Sequence, residues 1–472
     1  MMGVKVVEVG AGAFGAEVAA RTLPRRPDDE APVGLTFTML SMRSLDGPPT
    51  VEALVAADEG WTALRAPCGP DLVWPSAAGV RACRAEEGRL RANLDERGLG
   101  RHDLGPERPV GGRSTFVFPI GPVRGDVMES VTLHLTGMGD EILALTVGLG
   151  HKVRHVEEAA SGRTALDAVA VVERATGTST VAHALAFSQA VEAACGSVVD
   201  ATTATVRSLL QEIERTHSHL WDLATIAAST GLPVAQQELL ALREAVLQSA
   251  QALSGHRYLR GLIVPGGLGR DLPSEDIRAC ARRVLASGRD AVRVVEDLEG
   301  TPSFLDRLVG TGVVPIDEAR ALGALGPVGR ASGAGPDCRI ARPYAAYGSL
   351  PPIAHPQAGD GDAWARWRVR RAEFDAALAW LERASRALAG QGARAVVPPV
   401  AGYGVGWAEG PRGEIVYVVE SDANGILRRV SARSPSLRNW ALVPNAAARR
   451  NVLQDMPIID ASFGLSVAGA DL

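Results

Sequence analysis

A chain of 472 residues with 46% apolar and 22% charged content is long enough for two domains around an ordinary globular interior. Its net charge of -5 gives no electrostatic drive toward nucleic acid or an acidic membrane surface. The five cysteines (Cys68, Cys83, Cys195, Cys280 and Cys338) show no CxxC or metal-finger spacing, so they read as structural thiols of a reduced, cytoplasmic protein.

In chain order, the N-terminus carries Glu8 within its apolar run and is not expected to be a secretory signal. No stretch reaches the ~18 apolar residues of a spanning helix, so membrane association would come through a partner. Residues 1–110 read as a small α/β region: strand Val4–Val9, helix Phe14–Leu23, strand Leu35–Leu40, then Pro- and Gly-rich text. Gly10-Ala11-Gly12-Ala13-Phe14-Gly15 has the form of a dinucleotide fingerprint. The second strand, however, ends in Ser41-Met42-Arg43, without the acid that would hold a ribose. Asp28, Asp29 and Glu30 precede that strand, so the hexapeptide is read as a helix-entry turn. Glu107–Gly112 reads as a linker into a second domain spanning 113–472.

In that domain, Val127–Leu135 and Glu141–Val147 predict a β-hairpin across Thr136-Gly137-Met138-Gly139-Asp140. A helical region follows from Thr164 to Val314. It includes Thr202–Thr230, stopped by Gly231 and Pro233, and Val234–Leu253, stopped by Gly255. Another helix is expected over Trp364–Leu388, and Arg412–Val430 alternates as a second antiparallel element. Helices grouped centrally with strands at both ends predict an α+β fold, a central long-helix bundle flanked by antiparallel β elements.

Several polar residues stand out. Arg412 sits in a Pro411-Arg412-Gly413 turn, whose backbone geometry fixes the side-chain direction, toward a pocket in this reading. Glu214 and His217 have the Glu-x2-His spacing of di-iron bundles, but the second such pair is missing. His151 and His155 lie one helical turn apart with no third ligand in view. Both pairs read as polar helix faces.

Ordered motifs from Ser114 to Leu472 carry a family resemblance. They include Val172-Glu173-Arg174, Ala182-His183-Ala184-Leu185-Ala186 and Glu214-Arg215-Thr216-His217-Ser218-His219-Leu220. Further along come Gly255-His256-Arg257, Val264-Pro265-Gly266-Gly267, Gly326-Pro327 with Arg330-Ala331-Ser332-Gly333, Glu409-Gly410-Pro411-Arg412-Gly413-Glu414 and Asp455-Met456-Pro457. In this order the set resembles the large subunit of [NiFe] hydrogenases, especially the formate-hydrogenlyase type, and its relative, the D subunit (49 kDa) of complex I.

The resemblance implies that two CxxC pairs should hold nickel and iron. Here those windows read Thr176-Gly177-Thr178-Ser179 and Ser466-Val467-Ala468-Gly469. Hydroxyls cannot replace soft thiolates for nickel, so Thr176, Ser179, Ser466 and Gly469 are expected to be vestigial metal positions. The resemblance places Arg412 over the former metal pocket, with Arg154 and Glu157 as the R-x2-E of the family's first helix and Glu157 as the carboxylate partner of Arg412. It implies no cofactor in this chain, an iron-sulfur cluster in a partner, and a quinone as a conceivable acceptor. The complex I quinone ligands are not kept: the Gly121–Asp126 loop lacks the histidine, and the tyrosine position falls on Gly177. The first 110 residues occupy the place of a fused, complex I C-subunit-like domain.

The implied function is that of a large subunit without a NiFe centre, in a membrane-associated oxidoreductase of the hydrogenase or NADH-quinone type. Its expected partners are an iron-sulfur small subunit like the complex I B subunit, and membrane subunits, at the inner face of the cell membrane. A non-catalytic scaffold is the alternative, and hydrogenase activity itself is not expected. Proteolytic trimming after the second window is not expected either.

Overall fold

The computed structural model describes residues 3–8, 37–41, 50–57, 60–67, 102–104, 111–112, 114–124, 129–349, 358–394 and 396–472. Strands β1 (Gly3–Glu8), β2 (Phe37–Ser41), β3 (Thr50–Ala57) and β4 (Gly60–Pro67) form a sheet in the order β1-β4-β3-β2. β1 runs parallel to β4, and the other pairings are antiparallel. A dinucleotide fold needs its first two strands side by side and parallel. Here β1 and β2 lie at opposite edges, a topology that is not a dinucleotide fold. The Gly10–Gly15 hexapeptide and the expected Phe14–Leu23 helix lie outside the described residues.

A second antiparallel sheet, in the order β5-β8-β7-β6, joins β5 (His102–Leu104), β6 (Phe116–Ile120), β7 (Thr132–Met138) and β8 (Glu141–Leu149). The expected hairpin is β7–β8, with a tighter tip. Met138 pairs with Glu141, and Gly139 takes the positive φ of 61° that a two-residue turn requires. β7 starts at Thr132 rather than Val127, because the Val131 N–H is spent on the Pro122 carbonyl. β5 and β6 were not anticipated. Since His102 pairs with Leu149, this sheet draws on chain ahead of the boundary expected at residue 110.

The helices follow in order. α1 (Val156–Ala160), α2 (Ala165–Val172) and α3 (Thr180–Cys195) lead into α4 (Ala201–Ser229) and α5 (Pro233–Ser254). The α4 N-terminus is set by Asp200, whose side chain accepts from Thr203 N–H at 3.0 Å, and Gly255 in the left-handed region ends α5. α4 is buried nearly all round, with Leu209, Ile213, Leu220 and Leu223 at zero exposure. A helix apolar or paired on every face belongs at the centre of a bundle.

The region expected to be helical up to Val314 is interrupted. β9 (Ile263–Val264) and β10 (Gly267–Leu272) form a hairpin because Gly266 and Gly267 take φ of 85° and 154°, incompatible with a helix. α6 (Ser274–Glu299) follows. Short helices α7 (Pro302–Leu308), α8 (Ile316–Ala321), α9 (Gly326–Ala331) and α10 (Cys338–Ala341) then lead to α11 (Ala363–Ala387). α11 packs on α4 and α6, and β11 (Gly392–Arg394) pairs with β10.

The third sheet holds β12 (Gly402–Gly410), β13 (Gly413–Ser421) and β14 (Leu427–Arg433) in sequential antiparallel order. β12 escapes a reading based on side-chain alternation because its alternate residues are glycines. A Cβ on Gly402, Gly404 or Gly406 would stand 2.0–2.1 Å from the carbonyl oxygens of Ala194, Ala190 and Ala186, so α3 lies directly on the strand backbone. α12 (Pro435–Trp440), α13 (Val443–Ala447), α14 (Met456–Phe463) and α15 (Val467–Ala470) complete the described chain. The α+β expectation is met, with a helical centre between antiparallel sheets. Among the described residues no helix is long and apolar enough to cross a membrane.

Candidate functional site

The first window lies in the loop between α2 and α3. Ser179 is the N-terminal boundary residue of α3, but its hydroxyl makes no capping bond. The free amides there are taken by Glu214 of α4, whose carboxylate accepts from Val181 N–H at 2.6 Å and Ala182 N–H at 3.0 Å. The second window has become a helix cap: Ser466 Oγ accepts from Gly469 N–H at 3.0 Å and starts α15. Glu129, from the loop before β7, accepts from Ala468 N–H at 3.0 Å, from Ser466 Oγ at 3.1 Å and from Val467 N–H at 2.5 Å.

The two windows meet. A Cβ built on Gly469 would stand 3.2 Å from Thr176 Oγ1 and 2.8 Å from Ser434 Oγ. Thr176, Ser179 and Ser466 are each 4% exposed, and Thr176 Oγ1 has no hydrogen-bond partner among the described residues. Beside them lies a cavity of about 10 Å³, room for one water, lined by Thr176, Ser179, His183, Arg412, Ser434 and Ser436.

Arg412 occupies the tight turn between β12 and β13. Its backbone is held by α9: a Cβ on Gly326, at φ 60°, would overlap the Arg412 carbonyl at 2.1 Å, so only glycine fits there. The guanidinium donates from Nε to the Gly464 carbonyl at 2.5 Å and from one terminal nitrogen to Thr178 Oγ1, within the first window. The other terminal nitrogen lies 3.7 Å from Asp222 Oδ1. Arg412 therefore reaches the cavity as expected, but its carboxylate neighbour is Asp222, not Glu157. Asp222 is shared with Arg370 at 3.2 Å.

Glu157 is buried in α1 on the far side, where its Oε1 accepts from Ala432 N–H of β14 at 2.7 Å. Burial, with Glu157 nearby, pushes the Tyr417 hydroxyl well above its ordinary range. Tyr417 bonds His183 Nδ1 at 2.8 Å, so Glu157 stands behind the cavity through this pair. Arg154 is not on a helix face; it lies before α1, exposed, and donates to the Arg174 carbonyl at 3.2 Å and the Ala175 carbonyl at 2.6 Å. It fixes the chain entering the first window and does not touch the cavity.

His183, from the Ala182–Ala186 motif, lines the cavity one turn into α3. Burial, reinforced by the nearby Arg154 charge, lowers its pKa to about 3, which keeps it neutral. Burial acts oppositely on Glu214, whose pKa rises to about 8 against the pull of the two amides it accepts from. His217 turns its ring edge to Tyr258 at 5.7 Å. His155 is the left-handed residue before α1, and His151 bonds Thr132 Oγ1 at 2.7 Å, so these two histidines share no helix face.

Away from the cavity, α4, α9, α10 and α11 bury an ionic network at zero to 2% exposure. Arg330 bridges Glu373 at 2.6 Å and Glu409 at 3.0 Å; Arg339 bridges Glu212 at 3.0 Å and Asp337 at 2.6 Å; Arg215 lies 3.1 Å from Glu212. Pairing compensates buried charge of this density. Glu409 is the member set near neutrality: burial and the Asp337 charge raise its pKa to about 7.

The residues present do not fit a nickel–iron centre. Thr176, Ser179, Ser466 and Gly469 offer three hydroxyls and no thiolate, and Ser434 stands in the space a side chain at position 469 would take.

The comparisons with known proteins agree with this geometry. The family model of the nickel-dependent hydrogenase matches residues 154–228, and that of the respiratory-chain NADH dehydrogenase 49 kDa subunit matches 231–396. Formate hydrogenlyase subunit 5 of Escherichia coli is 30% identical over 360 residues, 75% of this chain and 62% of that protein. The chain thus spans just under two thirds of that relative. The carbon monoxide-induced hydrogenase of Rhodospirillum rubrum is 27% identical over 73% of this chain and 96% of its own length. NADH-quinone oxidoreductase subunit 4 of Thermus thermophilus is 28% identical over 73% of this chain and 91% of its own length. A chain of the membrane-bound sulfane sulfur reductase, an archaeal respiratory membrane complex, shares the fold with a TM-score of 0.70. That match has 24% identity and covers 77% of this chain and 100% of that one. Two family models fall on consecutive stretches, over a helical centre that joins both windows beneath one arginine, and in this the chain is similar to the family of the complex I 49 kDa subunit and the [NiFe]-hydrogenase large subunit.

Proposed function

We propose that this chain is the large subunit of a membrane-associated complex of the hydrogenase or NADH-quinone oxidoreductase type, working in electron transfer or energy coupling without a nickel–iron centre. The observation that carries the reading is the pocket beside both windows: Arg412, neutral His183 and the hydroxyls of Thr176 and Ser179 converge on one small cavity. Such a site can order a water and pass a proton, with Glu214 close by and protonated near neutral pH. The cavity of about 10 Å³ has no room for a quinone ring, so a quinone acceptor would contact the subunit elsewhere.

The electron carrier in this reading is an iron-sulfur cluster in a small subunit of the complex I B type. Membrane subunits complete the assembly and hold it at the inner face of the cell membrane. The test is the native complex purified with and without Arg412→Ala. Loss of turnover in an assembled complex that carries iron in a small partner and no stoichiometric nickel supports the reading. Unchanged turnover with only a lower melting temperature would make the chain a scaffold and end it.

A further inference from the structure

Helices α6 and α11 are in close contact at Gly288, where a Cβ would stand 2.5 Å from Leu378 Cδ2. Beside this contact the two helices leave an open groove of about 390 Å³, a volume in the range of small-ligand sites. Its walls carry Arg278, Arg282 and Arg289 from α6 and Arg386 from α11, against the single carboxylate of Glu382, with Leu285 as the apolar part of the lining. Positions 278, 282, 285 and 289 fall on one helix face, and at ~1.5 Å per residue the arginine row extends roughly 16 Å.

These guanidiniums are only partly engaged. Arg278 donates to the Leu388 carbonyl at 2.6 Å, at the C-terminal end of α11, and lies 3.6 Å from Glu275. Arg282 pairs with Glu275 at 2.9 Å and Arg386 with Glu382 at 2.5 Å, both in exposed geometry. Arg289 has no carboxylate within ion-pair distance among the described residues. Exposed pairs of this kind hold weakly, so a divalent anion can displace them.

We propose that this groove binds a phosphate-type polyanion, its oxygens taken by the forks of Arg282 and Arg289 with Arg278 and Arg386 at the ends. Guanidinium forks match phosphate oxygens bidentately, and an arginine row suits two linked phosphoryl groups better than one. The same chemistry is offered by a free diphosphate and by the headgroups of anionic phospholipid. The site is independent of the cavity under Arg412 and of the function proposed for it.

The test uses the full chain and its Arg282→Gln/Arg289→Gln double variant. Both side chains are exposed, so folding should be kept, and a thermal melt checks that. Inorganic pyrophosphate is titrated calorimetrically at low ionic strength, and flotation compares phosphatidylglycerol with phosphatidylcholine vesicles. The expected result is binding of pyrophosphate, or of phosphatidylglycerol vesicles alone, weakened at least about tenfold in the double variant and by added salt. The first outcome assigns a free ligand, the second a lipid headgroup. Binding of neither probe, binding unchanged in the double variant, or binding of polyglutamate in place of both phosphate probes would overturn the proposal.

Discussion

Ser434 Oγ stands 2.8 Å from the point a Cβ on Gly469 would occupy, so the space for a side chain at position 469 is filled by a neighbour's hydroxyl. Gly469→Cys should cost about 1–3 kcal/mol through overpacking. Adding Ser434→Gly should recover most of the loss in a thermal melt. Restoring cysteine at positions 176, 179, 466 and 469 together is expected to give no stoichiometric nickel by elemental analysis while Ser434 remains.

Replacing Arg412 by alanine strips the Gly464 carbonyl and Thr178 Oγ1 of a donor, while Asp222 keeps Arg370. The expected cost is about 1–3 kcal/mol, small enough for assembly to survive. Turnover of the native complex should be lost. Arg412→Lys should retain the melting temperature better than the activity, because the three donors of an ammonium sit on one nitrogen and cannot span partners that Arg412 reaches from three separate nitrogens.

Glu214 makes stability depend on pH. Its folded pKa of about 8 lies above the unfolded carboxylate value, so the native state holds the extra proton between those values. Its contribution is fully present below the unfolded pKa and is lost as pH rises through about 8. The slope is at most ~1.4 kcal/mol per pH unit. Glu214→Gln should flatten the denaturation profile over that window and stabilise the protein relative to wild type above it. A profile with unchanged slope would refute the assignment.

Glu129 takes the free amides of α15, a helix too short to hold itself. Glu129→Ala should lower stability by about 1–2 kcal/mol. It should also speed hydrogen exchange selectively at the Val467 and Ala468 amides. Uniformly faster exchange across the sheets would point instead to global destabilisation.

Local pattern read well where local physics decides. The expected helices Thr202–Thr230, Val234–Leu253 and Trp364–Leu388 are observed as Ala201–Ser229, Pro233–Ser254 and Ala363–Ala387. Apolar periodicity and caps fix such helices within the segment itself. The missed elements have the opposite cause: β12 is specified by its glycine contact with α3, and β5 by pairing with a strand that arrives much later in the chain.

The sequence by itself determined the α+β architecture, the absence of any CxxC pair and the Pro-Arg-Gly turn that holds Arg412, because composition, periodicity and turn residues are local properties. Only the tertiary structure decided that Thr176 meets Gly469, that Ser434 fills the vacated place, that Asp222 and not Glu157 lies beside Arg412, and that Arg154 serves the backbone ahead of the first window. Those pairings join residues distant in the chain. The packing of α3 against the third sheet, the bonds of Gln211 and Arg215 in α4 to the Glu409 and Gly410 carbonyls, and the packing of α15 on α12 set their distances, and no local pattern carries that information.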